Sequence, residues 1–227
     1  MMKNKKFIVS CQALENEPLY GGDTVTKLAK AALLGGADGI RTSQLNNVID
    51  IKKNFPDVYL ISIIKNSYPN SEVFITPTLC ELKALLETNT DVIALDATLR
   101  KRPKETLSEM VSYFKKYKKE FQRLMADCST IKDVKNAISL DFDIIGTTLR
   151  GYTKETENCS NIENNYQFLK DVSNLCKQNN KLFYVEGGIN TPELARDVWK
   201  LEIDGLVIGS AITRPMFITK QFKEKLK

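Results

Sequence analysis

Eight short apolar runs of the chain are each followed directly by polar or charged side chains. These residues are Ser10-Cys11-Gln12, Arg41, Lys65, Asp96, Asp127, Thr147-Thr148, Glu186-Gly187-Gly188 and Gly209-Ser210. Placing a charge directly after a buried strand costs free energy unless the charge is paired with another group or serves a functional site. The chain has no histidine, so the commonest general base is absent. Acid–base chemistry therefore falls to Lys, Asp, Glu, Tyr or Cys.

Glycines at two of these points indicate a phosphate site. Gly187 and Gly188 precede one predicted helix, and Gly209 and Ser210 precede another, with Arg214 nearby. Glycine lets backbone N–H groups approach an anion closely, and helix N-termini favour negative charge. Either pair alone often does no more than turn the chain. Because both pairs follow the last two predicted strands and Arg214 adds a cation, the sequence predicts phosphate binding at these five residues.

The elements that must position these groups alternate along the whole chain. Runs rich in Ile, Val, Leu and Phe predict buried parallel strands at Phe7–Ser10, Gly39–Arg41, Tyr59–Ile64, Val92–Leu95, Arg123–Ala126, Ile144–Thr147, Leu182–Val185 and Gly205–Ile208. Amphipathic stretches between and after them predict helices at Thr24–Leu34, Leu45–Asn54, Thr78–Glu87, Lys104–Lys118, Thr130–Leu140, Ile162–Lys177, Pro192–Leu201 and Pro215–Lys225. Thr191-Pro192 is typical of a helix N-terminus. Gly35-Gly36 is typical of a helix C-terminus that ends in a residue with left-handed backbone conformation.

Eight strands alternating with eight helices predict a single α/β domain over residues 1–227, a closed (β/α)8 TIM barrel. An open doubly wound sheet is the alternative. In a (β/α)8 barrel the active site lies at the C-terminal ends of the strands, so we expect the polar groups named above to share one mouth. The longest predicted loop, near Tyr152–Asn161, is either a flap over that mouth or a solvated surface loop.

Composition excludes several other classes of function. A net charge of +5, from 33 basic and 28 acidic residues, suits an anionic substrate, and no basic patch with stacking groups indicates nucleic-acid binding. Five cysteines without a C-x-x-C pair, in a chain without histidine, make a zinc site improbable. No apolar stretch reaches the roughly 20 residues of a membrane span. We therefore expect a cytoplasmic protein without a metal, in which Cys11 and Cys128 are small buried residues.

The chain resembles the N-acetylmannosamine-6-phosphate 2-epimerase family in motifs that occur in family order over nearly its whole length. The matching stretches are Ile8-Val-Ser-Cys-Gln-Ala-Leu14, Glu17-Pro-Leu-Tyr20, Gly39-Ile-Arg41, Ile63-Ile-Lys65, Val73-Phe-Ile-Thr-Pro77, Ile93-Ala-Leu-Asp-Ala-Thr98, Met125-Ala-Asp127, Gly146-Thr-Thr148, Gly151-Tyr-Thr153, Glu186-Gly187 and Gly209-Ser-Ala-Ile-Thr-Arg-Pro215. Asn66, Gly188 and Cys128 depart from residues that are common in the family, but they leave the acid–base candidates in place.

The resemblance implies a (β/α)8 barrel that interconverts N-acetylmannosamine 6-phosphate and N-acetylglucosamine 6-phosphate in sialic acid catabolism, without a cofactor. It implies that Lys65 is the catalytic lysine and Glu186 the active-site acid. It also implies that Gln12, Arg41 and Asp127 contact the substrate. Thr147, at the end of the sixth predicted strand, is a further candidate for substrate binding. The family makes a homodimer a further expectation.

Removing the proton from carbon 2 of the open-chain sugar gives an enolate, and returning a proton to the other face gives the epimer. An ordinary lysine, with a pKa near 10.4, is almost never neutral at pH 7. Burial beside Arg41 would lower the pKa of Lys65, whereas Asp127 and Glu186 would raise it. Whether Lys65 serves both faces or shares the work with Glu186 stays open. The alternatives are a buried ion-pair network closing the barrel, another sugar-phosphate isomerase, and a phosphosugar-binding protein without turnover.

Overall fold

The computed structural model describes residues 5–13 and 15–226. Its strands are β1 Lys6–Cys11, β2 Gly39–Ser43, β3 Tyr59–Ile63, β4 Val92–Asp96, β5 Arg123–Asp127, β6 Ile144–Gly146, β7 Leu182–Glu186 and β8 Gly205–Ile208. All pair in parallel and in chain order, and β8 pairs with β1, with Val9 opposite Ile208. The predicted (β/α)8 barrel is confirmed, because that last pairing closes the sheet and rules out an open one.

The helices surround the strands at nearly the predicted positions. They are α1 Thr24–Leu34, α2 Leu45–Asn54, α3 Leu79–Leu86, α4 Leu107–Tyr117, α5 Ile131–Ser139, α6 Glu163–Gln178, α7 Pro192–Trp199, α8 Ser210–Thr213 and α9 Pro215–Lys225. Thr191 caps α7 with Pro192 in its first turn, and Gly36 after α1 has a φ of 97°, so both predicted helix boundaries are confirmed. The single turn α8 was not predicted, because four residues carry no periodic signal.

Side chains inside the barrel follow the period of two that a strand imposes. On β3 the inward residues are Tyr59, Ile61 and Ile63, and the next inward position beyond the strand is Lys65. By the same alternation, Met125 and Asp127 of β5 both point inward, as do Tyr184 and Glu186 of β7. The lower interior is thus apolar, and the charges appear in the layer at the C-terminal ends.

The main core lies between the outside of the sheet and the helices. It contains the alternate, outward residues of the strands, among them Ile40, Leu60 and Val185. Cys11 and Cys128 belong to this layer and are fully buried. Burial raises the pKa of the Cys11 thiol to about 12 and that of Cys128 well above its usual value, so both thiols stay protonated and behave as the predicted small buried residues.

The predicted loop near Tyr152–Asn161 is folded onto the barrel. It contains a 3-10 turn, Lys154–Thr156, and the buried hydroxyl groups of Thr153 and Thr156 hydrogen-bond to that of Ser129 at 2.8 and 2.7 Å. Lys154 remains exposed. The loop is therefore packed against the barrel rather than solvated throughout, and Tyr152 at its start lies at the barrel mouth. Among residues 5–13 and 15–226, no helix is both long and apolar enough to cross a bilayer.

Candidate active site

A cavity of about 210 Å³ opens at the C-terminal ends of the strands. Nine of the eleven residues predicted for the site line it: Gln12, Arg41, Lys65, Glu186, Gly187, Gly188, Gly209, Ser210 and Arg214. They come from the ends of β1, β2, β3, β7 and β8, which confirms that these groups share one mouth. Asp127 and Thr147 do not line it.

The floor of the cavity is an ion-pair network centred on Arg41. Its guanidinium donates to both oxygens of Asp127, with Nη1–Oδ1 at 3.0 Å and Nη2–Oδ2 at 2.6 Å, and Nη1 lies 2.9 Å from Oε2 of Glu186. Arg41 and Asp127 are fully buried, whereas the Glu186 side chain is 13% exposed. Asp127 therefore lies behind Arg41 rather than at the cavity surface, and its clearest role is to hold the guanidinium in place. The buried ion-pair network raised as an alternative is present, but it forms the base of a cavity rather than closing the barrel.

Thr148, and not Thr147, is the threonine of this site. β6 points Ile144, Gly146 and then residue 148 inward, so Thr147 faces outward, fully buried, with its hydroxyl donating to the carbonyl oxygen of Glu186 at 3.1 Å. The Thr148 hydroxyl lies 2.6 Å from Oδ1 of Asp127 and 3.3 Å from Oε2 of Glu186. The structure thus places Thr148 at the cavity instead of the predicted Thr147, and counting every second residue along the strand identifies it.

Lys65 combines burial with a cationic neighbourhood. Burial lowers its pKa to about 8, with Arg41 and Arg214 acting in the same direction and Glu186 and Asp127 opposing them. This answers the question that the sequence left open, since burial and the two arginines outweigh the two carboxylates. At pH 7 about one Lys65 in ten is then neutral, compared with roughly one in 2,500 for an ordinary lysine.

The pKa of the Glu186 carboxyl is shifted in the opposite direction, upward. Burial raises the pKa of its carboxyl to about 7; the Asp127 carboxylate adds to the rise, and the Arg41 guanidinium and the Thr148 hydroxyl oppose it. Its backbone is also fixed, because the buried Asn161 amide donates to the carbonyl oxygens of Glu186 and Gly187 at 2.8 and 2.9 Å. A base and an acid whose pKa values both lie near neutrality therefore share one cavity, an arrangement suited to proton transfer.

Gln12 supplies an unpaired polar atom at the β1 side of the cavity. Its Nε2 donates to the Ser10 hydroxyl at 2.9 Å, and its buried Oε1 accepts no hydrogen bond from the described residues. Buried polar atoms are normally paired. The Gln12 oxygen is thus available to a hydroxyl or amide of a ligand. Ser10, a strand-end residue that was not predicted to belong to the site, orients the Gln12 side chain.

The predicted phosphate groups lie together on the β7–β8 side. Gly187 and Gly188 have φ angles of 104° and 74°, a region that residues with a Cβ rarely adopt. Within residues 5–13 and 15–226, the backbone N–H groups of Gly188, Ile189 and Ser210 donate to no protein acceptor. The Arg214 guanidinium lies beside them, ion-paired through Nε to Oε1 of Glu17 at 2.6 Å. Free N–H groups on two loops beside an arginine suit a dianionic phosphate.

Asp96 is the one strand-end charge that the site does not use. Its carboxylate accepts from the Thr98 hydroxyl and from Arg100, both at 2.6 Å, and Arg102 donates to its carbonyl oxygen at 2.5 Å. The residue is fully buried and does not line the cavity. Asp96 thus organises the loop after β4. No group of three or more Cys, Asp or Glu side chains in the described part of the chain could hold a metal ion.

The sequence is similar to proteins named as epimerases of one sugar phosphate. The family model for N-acetylmannosamine-6-phosphate epimerases matches residues 25–227. The N-acetylmannosamine-6-phosphate 2-epimerase of Mycoplasmopsis pulmonis is 58% identical over 227 residues, which cover 100% of this chain and 99% of that protein. The chain belongs to the N-acetylmannosamine-6-phosphate 2-epimerase family. The Staphylococcus saprophyticus member is 51% identical over 95% of each chain, so the family resemblance of the motifs is confirmed.

Solved structures agree at the level of the fold and of the family. The N-acetylmannosamine-6-phosphate 2-epimerase from Clostridium perfringens superposes with a TM-score of 0.90 at 37% identity, over 98% of this chain and 94% of that one. Thiamine phosphate pyrophosphorylase from Pyrococcus furiosus, at 15% identity and a TM-score of 0.56, shares only the barrel. The epimerase family therefore gives this barrel its chemistry, which the fold alone does not.

Proposed function

We propose that the chain interconverts N-acetylmannosamine 6-phosphate and N-acetylglucosamine 6-phosphate by moving the proton on carbon 2. Membership of the epimerase family supports the substrate. The observation that carries the chemistry is the pairing of Lys65 and Glu186, a lysine with a lowered pKa and a carboxyl with a raised pKa, in one cavity. The reaction places the protein in sialic acid and amino sugar catabolism as an isomerase.

Two protons move in the reaction, one from carbon 2 to Lys65 and one from Glu186 to carbon 2. Neutral Lys65 takes the carbon 2 proton of the open-chain sugar, and the electron pair of the C–H bond passes to the aldehyde oxygen as an enolate. Arg41 is the buried cation at the cavity floor that stabilises this charge. Protonated Glu186 assists, giving a proton to the opposite face of carbon 2 and so producing the epimer. The reverse reaction starts from the Lys65 ammonium and the Glu186 carboxylate.

A cavity lined by free N–H groups accounts for the 6-phosphate. The phosphate binds at Gly187, Gly188, Gly209 and Ser210 with Arg214, which leaves the other end of the sugar facing Lys65 and Glu186. Gln12 and Thr148 are polar groups of the cavity lining that can contact the sugar itself. Asp127 acts by holding Arg41. No cofactor takes part in this scheme.

The pH dependence of kcat/KM is expected to be bell-shaped, with limbs near 7 and 8 and a maximum at roughly 7.5. Lys65 loses its proton above about 8 and Glu186 keeps its proton up to about 7. Below both values Lys65 and Glu186 are both protonated, so no base is present; above both values no acid is present. Initial rates between pH 5.5 and 9.5 test this. A rate that only rises with pH would contradict the role of Glu186.

Replacing Arg214 by methionine is expected to raise KM for the sugar phosphate about tenfold, because the arginine contacts the non-reacting phosphate. The fall in kcat should be smaller, because Arg214 is one of several groups that lower the pKa of Lys65. The matched control is Arg196→Met, which removes an exposed arginine of α7 outside this cavity. Steady-state kinetics at pH 7.5 measure both variants. An unchanged KM in Arg214→Met would place the phosphate elsewhere.

Product identification separates the proposal from its rivals. The purified protein is given N-acetylmannosamine 6-phosphate, N-acetylglucosamine 6-phosphate, glucosamine 6-phosphate or ribulose 5-phosphate, and the products are resolved by NMR. Interconversion of the first two alone supports the proposal. Turnover of another substrate alone would indicate a different isomerase, and binding of all four without turnover would indicate a phosphosugar-binding protein. A cytoplasmic location and a homodimer remain predictions.

A further inference from the structure

One side chain at the end of β2 holds the backbone of Lys65. Gln44 follows Ser43, the last residue of β2, and its own N–H still donates to the carbonyl oxygen of Ile63 at 2.9 Å. Beyond this point the chain turns into α2, so β2 has no further backbone groups to pair with β3. The Gln44 carboxamide continues the pairing instead. Its Oε1 accepts from the Lys65 N–H at 3.0 Å, and its Nε2 donates to the Lys65 carbonyl oxygen at 3.1 Å.

The opposite side of the same backbone is held by the segment that returns toward α3. Asn66 N–H donates to the carbonyl oxygen of Phe74 at 3.0 Å, and Thr76 N–H donates to that of Ile64 at 2.7 Å. Lys65 and Ile75 face each other in an antiparallel bridge. The peptide groups around Lys65 are therefore fixed from two directions, and Gln44 is the only side chain among the described residues that hydrogen-bonds to the backbone of Lys65.

Gln44 makes this contact with an unfavourable backbone conformation and without capping the helix that follows it. Its backbone has a φ of 74° and a ψ of 137°, a region that a residue with a Cβ seldom occupies unless its surroundings impose it. It also precedes the first turn of α2 without capping it, whereas Thr78, Thr106 and Thr130 cap their helices with their side chains. Such strain is typical of positions that serve a functional site.

We propose that Gln44 is a positioning residue for Lys65 that aims the lysine side chain at the reacting carbon through its backbone. Gln44 does not line the cavity, so it acts on the reaction only through Lys65. Gln44 comes directly after β2, three residues beyond Arg41. This inference rests on the proposed function.

The test compares three variants with the unmodified protein. Gln44→Met keeps most of the volume without the amide, and Gln44→Gly removes the amide while relieving the positive φ, so at least the glycine variant is expected to fold. The control is Asn47→Ala, which removes a neighbouring α2 amide that donates to the Ser43 carbonyl oxygen at 2.8 Å. The measurements are kcat, KM and the pH profile of epimerisation, with thermal unfolding as a check on folding.

In both Gln44 variants kcat is expected to fall roughly 10- to 100-fold while KM stays nearly unchanged, because a small displacement of a reacting group slows the chemical step. The upper limb of the pH profile should move above about 8, because a displaced Lys65 is less buried. A Gln44→Gly protein that keeps its kcat, or that loses kcat with the upper limb unmoved, overturns the inference. An unmodified protein without epimerase activity overturns the proposed function and the inference with it, and this outcome is distinct from the other two.

Discussion

Replacing Lys65 by methionine is expected to lower kcat by at least the 10²- to 10⁴-fold that a positioned general base contributes, and to abolish exchange of the carbon 2 proton with solvent. Methionine fills most of the space of the lysine stem but cannot accept a proton. Because Lys65 is not one of the predicted phosphate-binding groups, the variant should still bind N-acetylmannosamine 6-phosphate. Exchange is followed by NMR in deuterated water, and binding by calorimetry.

The control is Lys220→Met, which removes an exposed lysine of α9 and should leave both quantities unchanged. Exchange at the unmodified rate in Lys65→Met would remove Lys65 from the reaction. Loss of exchange together with loss of binding would instead assign Lys65 to the substrate site rather than to the proton transfer.

Replacing Asp127 by alanine is expected to destabilise the fold by about 3–5 kcal/mol, the usual result of breaking a buried ion pair from one side. Asp127 accepts two hydrogen bonds from Arg41 and one from Thr148. Without it, the fully buried Arg41 keeps one ion pair among the described residues, to Glu186, and a weak contact to the Met125 sulfur, so its charge is poorly compensated. Urea unfolding at pH 7.5 measures the change in the free energy of unfolding.

The matched control is Asp197→Ala, which removes an aspartate of α7 that is ion-paired to Lys200 and Arg196 at the surface. Exposed pairs contribute about 0–1 kcal/mol, so this variant should differ little from the unmodified protein. If Asp127→Ala were equally mild, Asp127 would not be the residue that holds Arg41. The proposed scheme would then have to give Asp127 a different place.

The sequence predicted the barrel and most of its mouth because both follow from local patterns. Apolar runs at regular spacing define strands whatever their partners, and the end of each run shows which side chain reaches the mouth. Lys65, Glu186 and Arg41 were found in this way. Thr147 was named instead of Thr148 because the end of the strand was predicted without asking which side chains point inward. Alternation from Ile144 leads to Thr148, which lines the cavity.

The other features of the site depend on contacts between residues far apart in the chain, which the sequence does not show. The family resemblance implied that Asp127 contacts the substrate, and only the structure shows that it is hydrogen-bonded to Arg41 and does not line the cavity. The pKa of Lys65 is set by burial against four charges on four other segments, a balance that no local pattern encodes. Gln44 and Asn161 lie in loops and reach the backbone of Lys65 and Glu186 from neighbouring segments, so no spacing in the sequence identifies them.

The central claim is that epimerisation proceeds by removal of the carbon 2 proton, and isotope incorporation tests it most directly. The protein is given N-acetylmannosamine 6-phosphate in deuterated water and the reaction is followed by proton NMR. We predict that N-acetylglucosamine 6-phosphate forms with deuterium at carbon 2 from the first turnover, because the returning proton comes from a group that exchanges with solvent. N-acetylglucosamine 6-phosphate that keeps the original hydrogen at carbon 2, or no conversion by the folded protein, would contradict the account.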